Sequence, residues 1–253
     1  MAGQSDQDTT LPDDAAIQHE AWMNLPKKLF ATFFTLDALF VLLYLGAVAL
    51  HLSHSRYFVL VDLDAEANPP SWYSGAQLFL ISIGYFMLAS RLIPSRTKVR
   101  SLRPLWMAMG LGFAFLSMDE VGSIHERIGS LLYELRVFNH IPFTDQWMWV
   151  YVIIAIVLLV AFYKQLILVW REWRVETVLF LIGFVVLALG AFVLEGLHLW
   201  HHLHHFWIFA EVALEEGLEM LGATILLLPV FRVLSYAMTS EPDSQEVAAA
   251  PAE

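Results

Sequence analysis

Three segments of the chain combine carboxylates and imidazoles at spacings suited to metal binding or proton transfer. They read SMDEVGSIHERIG (117–129), VLEGLHLWHHLHH (193–205) and FAEVALEEGLEMLG (209–222). Each segment adjoins a long apolar run. A carboxylate in hydrocarbon is costly, so such residues normally face the interior of a helix bundle, pair with one another or bind a cation. These segments are therefore the first candidates for a functional site.

Helical phase gathers the ionisable groups of each segment on one side of a helix. Successive residues are about 100° apart, so positions separated by three, four or seven share a face. We expect the first segment to belong to one continuous helix over 105–135. The resulting stripes are Asp119 and Glu126 on the first helix, Glu195, His198 and His202 on the second, and Glu211, Glu215 and Glu219 on the third. We predict that the three stripes face a common site.

The donor atoms in these stripes indicate a divalent transition metal. The chain has no cysteine, and carboxylates with imidazoles suit Zn²⁺, Fe, Mn or Cu(II). We name Zn or Fe as the first candidates and predict as ligands Glu195, His198, His202 and Glu219. The predicted catalytic groups, acting as a second-metal ligand or as the base for a metal-bound water, are Asp119, Glu126 and Glu215. The alternative is a water-filled opening of the helix bundle, in which the same groups form hydrogen bonds and bind no metal.

Two short motifs invite comparison with known metal sites. Glu195-x-x-His198 resembles the ligand pair of di-iron carboxylate bundles, although those bundles need a second Glu-x-x-His, which this sequence lacks. Glu215-Glu216 resembles the Glu-Glu motif of glutamate-type intramembrane proteases, which pair it with histidines on other helices. Here Glu219 occupies the region where those proteases carry a basic residue, and the histidine spacing differs.

Composition identifies the elements that must position these groups as membrane helices. The chain is 58% hydrophobic and 15% charged, with a mean hydropathy of +0.60. A soluble domain is nearer 45–50% apolar and about 25% charged. We predict an all-α, polytopic bundle of six transmembrane helices, since each needs roughly 20 apolar residues. The predicted spans are 29–51, 72–92, 105–117 with an amphipathic extension, 147–169, 178–199 and 207–231.

Basic residues predict the orientation of this bundle. Eleven of the 14 Lys and Arg residues flank the spans on one side, which predicts that both termini are cytoplasmic. We place the protein in a bacterial inner membrane, with the site facing the outer side. The predicted division is an acidic, disordered tail over 1–24, the transmembrane domain over 25–236 and a second disordered tail over 237–253.

These inferences favour a membrane-embedded metalloenzyme, a hydrolase or an oxidase, acting on a lipid or apolar substrate. A second hypothesis is a transporter or sensor for divalent cations or protons, and a third is a structural subunit of a membrane complex. A transporter needs ionisable groups below the outer site, and only Asp37 is available there. We expect Asp37 to form a structural hydrogen bond to a neighbouring helix or to pair with Arg91 or Arg96. The formal charge of −11 argues against nucleic acid as a partner, and no phosphate-binding glycine loop is present.

Overall fold

The structure is a computed structural model that describes residues 11–90, 101–137, 146–194 and 205–239. All regular structure in these ranges is helical, without a β-strand, as predicted. The helices are α1 (Leu11–Ala49), α2 (Pro69–Ala89), α3 (Arg103–Gly122), α4 (Ile124–Glu134), α5 (Trp147–Ala161), α6 (Tyr163–Glu172), α7 (Arg174–Ala188) and α8 (His205–Thr239). A π-helical turn, Leu189–Leu194, follows α7. Because α1 begins at Leu11, helix extends into the segment that we assigned to the N-terminal tail.

Four of the described helices are long and apolar enough to cross a membrane. They are Ile17–Ala49, Pro69–Ala89, Arg174–Phe192 and Trp207–Thr239. A fifth span results if α5 and α6 are taken together. Helix α3, which contains the predicted third span, is not among them. The described residues thus form a helical protein with four or five candidate membrane spans, and the six spans and cytoplasmic termini stay predictions.

The fourth span is bent, whereas we expected one span over 147–169. Helices α5 and α6 meet at Phe162 with their axes 73° apart. The uninterrupted apolar run ends at Tyr163, and Lys164, Gln165 and Arg171 follow. Amphipathic helices of this kind are typical of membrane interfaces, and the change in direction coincides with this change in composition.

The expected continuous helix over 105–135 is broken at Ser123. Helix α3 ends at Gly122, Ser123 adopts a left-handed conformation with φ 49° and ψ 44°, and α4 begins at Ile124. Glycine and serine are poor residues for a helix interior. The Asp119 side chain accepts a hydrogen bond from the backbone N–H of His125 at 2.7 Å, which satisfies one of the free donors at the start of α4. This break changes the helical phase of every residue after it.

Helices α2, α3 and α8 enclose the main apolar core, and α1 and α7 pack against α8. The close approach of α7 to α8 depends on glycines. A Cβ at Gly222 would lie 2.6 Å from the Leu187 side chain, and one at Gly190 would lie 2.7 Å from the backbone oxygen of Glu215. These contacts hold the π-helical turn directly against the acidic part of α8.

A buried polar cluster ties α1 to α2 and α8. Asp37 is 5% exposed, and its carboxylate accepts hydrogen bonds from the Tyr73 hydroxyl at 2.6 Å and from Gln77 Nε2 at 2.9 Å. The Thr224 hydroxyl donates to its other oxygen at 2.7 Å. Asp37 therefore forms the hydrogen bonds between helices that we expected from its position.

Candidate metal centre

An acidic cavity of about 430 Å³ opens between α2, α3, α4 and α8, beside the loop that precedes α2. Its wall contains nine carboxylates and one imidazole. They are Asp64, Glu66, Asp119, Glu120, Glu126, Glu211, Glu215, Glu216, Glu219 and His125. We refer to this space as the acidic cavity. Two of the three acidic segments found in the sequence, 117–129 and 209–222, therefore border the same space.

One part of this wall brings together three side chains that could hold a metal ion. Ligand atoms of Glu66, His125 and Glu126, one from each residue, all lie within 4.8 Å of one another. Glu66 and His125 are half-buried, whereas Glu126 is exposed. Glu66 comes from the loop before α2, and the other two come from the first turn of α4. A cation placed among the three would be held by two carboxylates and one imidazole.

Asp119 positions the imidazole of this group. Its Oδ1 accepts the backbone N–H of His125 and also lies 3.2 Å from Nδ1 of the same residue. The Tyr151 hydroxyl donates to Oδ2 at 2.8 Å, and Asp119 is only 6% exposed. The Trp147 ring packs on His125 with the ring centroids 4.9 Å apart. A carboxylate on one imidazole nitrogen is the usual support for a metal on the other.

Glu66 is held near the site by a folded loop. The Asn68 side chain donates to the backbone oxygen of Asp62 at 2.6 Å, and it accepts from the Ser71 N–H at 3.0 Å, which caps the start of α2. Oε2 of Glu66 is buried without a hydrogen-bond partner in the part of the chain that the structure describes. Burial raises the pKa of Glu66, the neighbouring Glu126 raises it further, and His125 opposes both effects.

The site residues that we predicted from the sequence have different positions in the structure. Asp119 supports His125, and Glu126 belongs to the group of three ligand candidates. Glu215 and Glu219 line the acidic cavity on α8. Glu195, His198 and His202 lie outside the described residues, so their assignment as ligands stays a prediction.

Sequence reasoning did not select Glu66 or His125 as ligands. A continuous helix would have placed His125 at the flank of the stripe formed by Asp119 and Glu126, and the break at Ser123 brings it against Asp119 instead. The adjacent Gly122 and Ser123 were the available signal for that break. For Glu66, three acids before Asn-Pro-Pro are equally typical of a solvated loop, and nothing in the local sequence shows which one turns inward.

The donor set fits borderline and hard divalent metals such as Zn²⁺, Fe²⁺ and Mn²⁺. Three protein ligands leave at least one coordination position for water or a substrate, as in catalytic rather than structural zinc sites. Glu120 also lines the cavity and receives a hydrogen bond from Ser74. The cavity thus offers carboxylates beyond the three ligand candidates that are available to accept a proton.

Comparison with known proteins gives a family but no function. No curated protein matches the chain, and no solved structure matches it. Residues 36–234 match a family described as a domain of unknown function (DUF8692), and this range is more than half of the 253 residues. It includes every helix that borders the acidic cavity except the last residues of α8. The chain therefore belongs to this family of domains of unknown function.

Proposed function

We propose that this protein is a membrane-embedded metalloenzyme that binds a divalent transition metal through Glu66, His125 and Glu126. The observation that carries the proposal is the convergence of these three ligand atoms within 4.8 Å at the wall of the acidic cavity. The substrate is a lipid or another apolar molecule that reaches the cavity from the bilayer. The proposed location is a bacterial inner membrane, and the charge bias of the loops supports a cavity on its outer side.

The two neighbouring carboxylates of the ligand group favour a bound cation. Glu66 and Glu126 approach each other closely enough for Glu126 to raise the pKa of Glu66. A divalent cation between them would replace this repulsion with attraction, and it would give the buried Oε2 of Glu66 a partner. Oδ1 of Asp119 lies 3.2 Å from Nδ1 of His125, and this carboxylate would support the imidazole as a ligand.

An open coordination position beside a cavity favours catalysis over a purely structural metal. The metal would supply Lewis acidity, polarising a bound water or a substrate oxygen. A base must lie within reach of that water, and the candidates on the cavity wall are Glu120, Glu215 and Glu219. Bound Zn²⁺ would supply the Lewis acidity for hydrolysis, whereas bound Fe would supply the redox chemistry of an oxidase that uses O₂ as the oxidant. The residues Glu195, His198 and His202 enter this proposal as a second candidate set of ligands, which Glu219 would complete.

The decisive experiment measures the metal content of protein purified in mild detergent without chelators. Inductively coupled plasma mass spectrometry should find a stoichiometric transition metal in the unchanged protein. The double variant Glu66→Gln with His125→Ala should lose it. Glu134→Gln is the matched control, because Glu134 is an exposed carboxylate on the same helix as His125, and it should keep the metal.

Two results would overturn this assignment. If the unchanged protein contained no stoichiometric metal, the protein would not be a metalloenzyme. If the Glu66/His125 double variant kept the metal, these residues would not be its ligands. The variant Glu195→Ala with His198→Ala tests the second set in the same assay. If that variant alone loses the metal, the sequence-predicted ligands are correct and the group at Glu66 is not the site.

One observation favours transport of cations or protons as a second candidate function. Gln77 and Thr224, which bind Asp37, are adjacent in sequence to Leu78 and Ala223 on the cavity wall. The polar cluster at Asp37 therefore adjoins the wall of the acidic cavity. Metal uptake by proteoliposomes, abolished in Asp37→Asn, would establish transport. A metal-loaded protein that shows no flux would exclude transport.

A further inference from the structure

A second cavity, of about 380 Å³, lies between α6 and the helices of the main core, close to the bend at Phe162. Apolar side chains form nearly all of its wall, and α2, α3, α7 and α8 each contribute. Typical members are Leu105, Leu166, Trp173, Phe180 and Val230. We refer to this space as the apolar cavity. It adjoins the start of α3 and the later part of α8, whereas the acidic cavity adjoins the end of α3 and the earlier part of α8.

One polar atom on this wall lacks a partner. Trp106 lines the apolar cavity and is only 5% exposed, and its Nε1 is buried without a hydrogen bond to any residue in the described ranges. Tyr85 stacks on the indole at 5.9 Å and Trp173 packs edge-on at 6.2 Å between ring centroids. An indole nitrogen only donates, and a buried donor without an acceptor is destabilising. The site is therefore suited to a ligand that brings an acceptor.

Charged residues place this cavity at the level of the lipid headgroups. Arg103 begins α3 one turn before Trp106. Glu176 lines the cavity and pairs with Arg232 at 3.4 Å. Helix α6, which forms one side, carries Lys164 and Arg171 among its apolar residues. Charged side chains at the end of a span and an amphipathic helix both mark the boundary between headgroups and acyl chains, where the ester carbonyls of phospholipids lie.

We propose that the apolar cavity binds one acyl chain of an ester-linked membrane phospholipid, whose carbonyl oxygen accepts a hydrogen bond from Nε1 of Trp106. The apolar wall buries the chain between α6 and the helices of the main core. The indole N–H selects a lipid with a carbonyl at the start of that chain. This site requires the membrane location of the protein but no metal, so it stands independently of the proposed enzyme activity.

Photolabelling in proteoliposomes tests the site. Two phospholipid probes carry the same diazirine-bearing acyl chain, one attached through an ester and the other through an ether, which has no carbonyl. After irradiation, mass spectrometry of peptides locates the adducts. With the ester probe, we expect adducts on the buried residues Leu105 and Val230, at about five times the yield obtained with the ether probe, which is the factor for one net hydrogen bond. Lipid-facing Val185 should be labelled equally by both probes.

The variant Trp106→Phe keeps the aromatic ring and removes the donor. It should lower labelling by the ester probe at Leu105 and Val230 to the level of the ether probe. Trp72→Phe is the matched control, because Trp72 is 69% exposed and does not line the cavity, and it should label like the unchanged protein. Equal labelling at Val185 in all three proteins shows that each is inserted in the membrane, and equal midpoints of thermal unfolding show that each is folded.

Three outcomes would overturn the proposal. The first is labelling confined to exposed positions such as Val185, which would mean that no chain enters the cavity. The second is an equal yield with ester and ether probes in the unchanged protein, which decides the question even if Trp106→Phe fails to fold. The third is a folded Trp106→Phe that keeps the preference for the ester probe, which would assign the acceptor to another group.

Discussion

Asp119 binds His125 at two points, through the backbone N–H at 2.7 Å and beside the ring nitrogen Nδ1 at 3.2 Å. The first contact fixes the start of α4 and the second fixes the orientation of the ring. Both act on one residue, so the local backbone geometry and the direction of the candidate ligand are set together. Changes at Asp119 should therefore affect metal binding without removing any ligand.

Asp119→Asn should weaken metal binding about 10- to 100-fold, the usual cost of losing a supporting carboxylate. The amide keeps an oxygen that accepts a hydrogen bond from the His125 backbone N–H. It lacks the negative charge that would strengthen the imidazole as a metal ligand. Titration of the metal-free protein with Co²⁺, followed by its visible absorption, measures the affinity. An unchanged affinity would show that Asp119 does not support a metal ligand.

Tyr151→Phe is the control for that experiment. It removes the hydrogen bond from the Tyr151 hydroxyl to Oδ2 of Asp119 while the carboxylate and its charge remain. We expect an affinity loss clearly smaller than that of Asp119→Asn. If the two variants bound Co²⁺ equally poorly, general disruption around α5 would be the better explanation.

Metal affinity should fall as the pH is lowered, because carboxylate and imidazole ligands must be deprotonated to bind. Burial and Glu126 raise the pKa of Glu66, so a proton competes for this ligand at a higher pH than at an ordinary glutamate. The loss should begin above the usual range for a carboxyl group and continue as the pH falls through the raised pKa. Co²⁺ titrations across a pH series measure this, and in Glu66→Gln the remaining affinity should depend less steeply on pH. An affinity independent of pH would contradict binding by these groups.

Gly222→Ala should destabilise the protein by about 1–3 kcal/mol, the usual cost of overpacking. The added methyl group would meet the backbone and side chain of Leu187, and neither helix has room to move without disturbing the other. Gly112→Ala is the matched control, because a Cβ there has nothing within 4 Å. Thermal unfolding in detergent compares the two, and equal midpoints would show that α7 and α8 are not tightly packed.

Asp37→Ala should cost about 1–3 kcal/mol, since it leaves buried donors without their acceptor. The hydroxyls of Tyr73 and Thr224 and the amide of Gln77 all lose this partner. Asp64→Ala, at an exposed loop position, is the control and should be nearly neutral. Chemical unfolding of both variants tests the difference. A stable Asp37→Ala protein would mean that the cluster does not hold α1 against α2 and α8.

Much of the fold follows from hydrophobic runs, whereas the breaks do not. The long apolar segments predict the helices α1, α2, α7 and α8 because membrane helices are defined by length and apolarity. The break at Ser123 depends on a local contact of Asp119 with the His125 backbone, and the bend at Phe162 falls where an amphipathic segment follows the apolar run. Window averages over apolar residues do not register such contacts, so the sequence predicted straight helices at both positions.

The sequence predicts which acidic segments border the candidate site, but it does not predict which residues form the ligand group. Asp119, Glu126, Glu215 and Glu219 all border the acidic cavity, because carboxylates next to apolar runs tend to face the interior. The choice between neighbouring carboxylates depends on how a loop folds, and the inward position of Glu66 follows from the Asn68 contacts. Helical periodicity describes regular segments alone, and Glu66 lies outside them.

The distance along the chain between Glu66 and His125 has a further consequence. A metal bound to both would join the loop before α2 to the start of α4, closing a ring of the chain that contains all of α2 and α3. Such closure restricts the unfolded chain more than the folded one. This protein has no cysteine, so the metal would serve as its removable cross-link, and withdrawing it would loosen the ends of two helices at once.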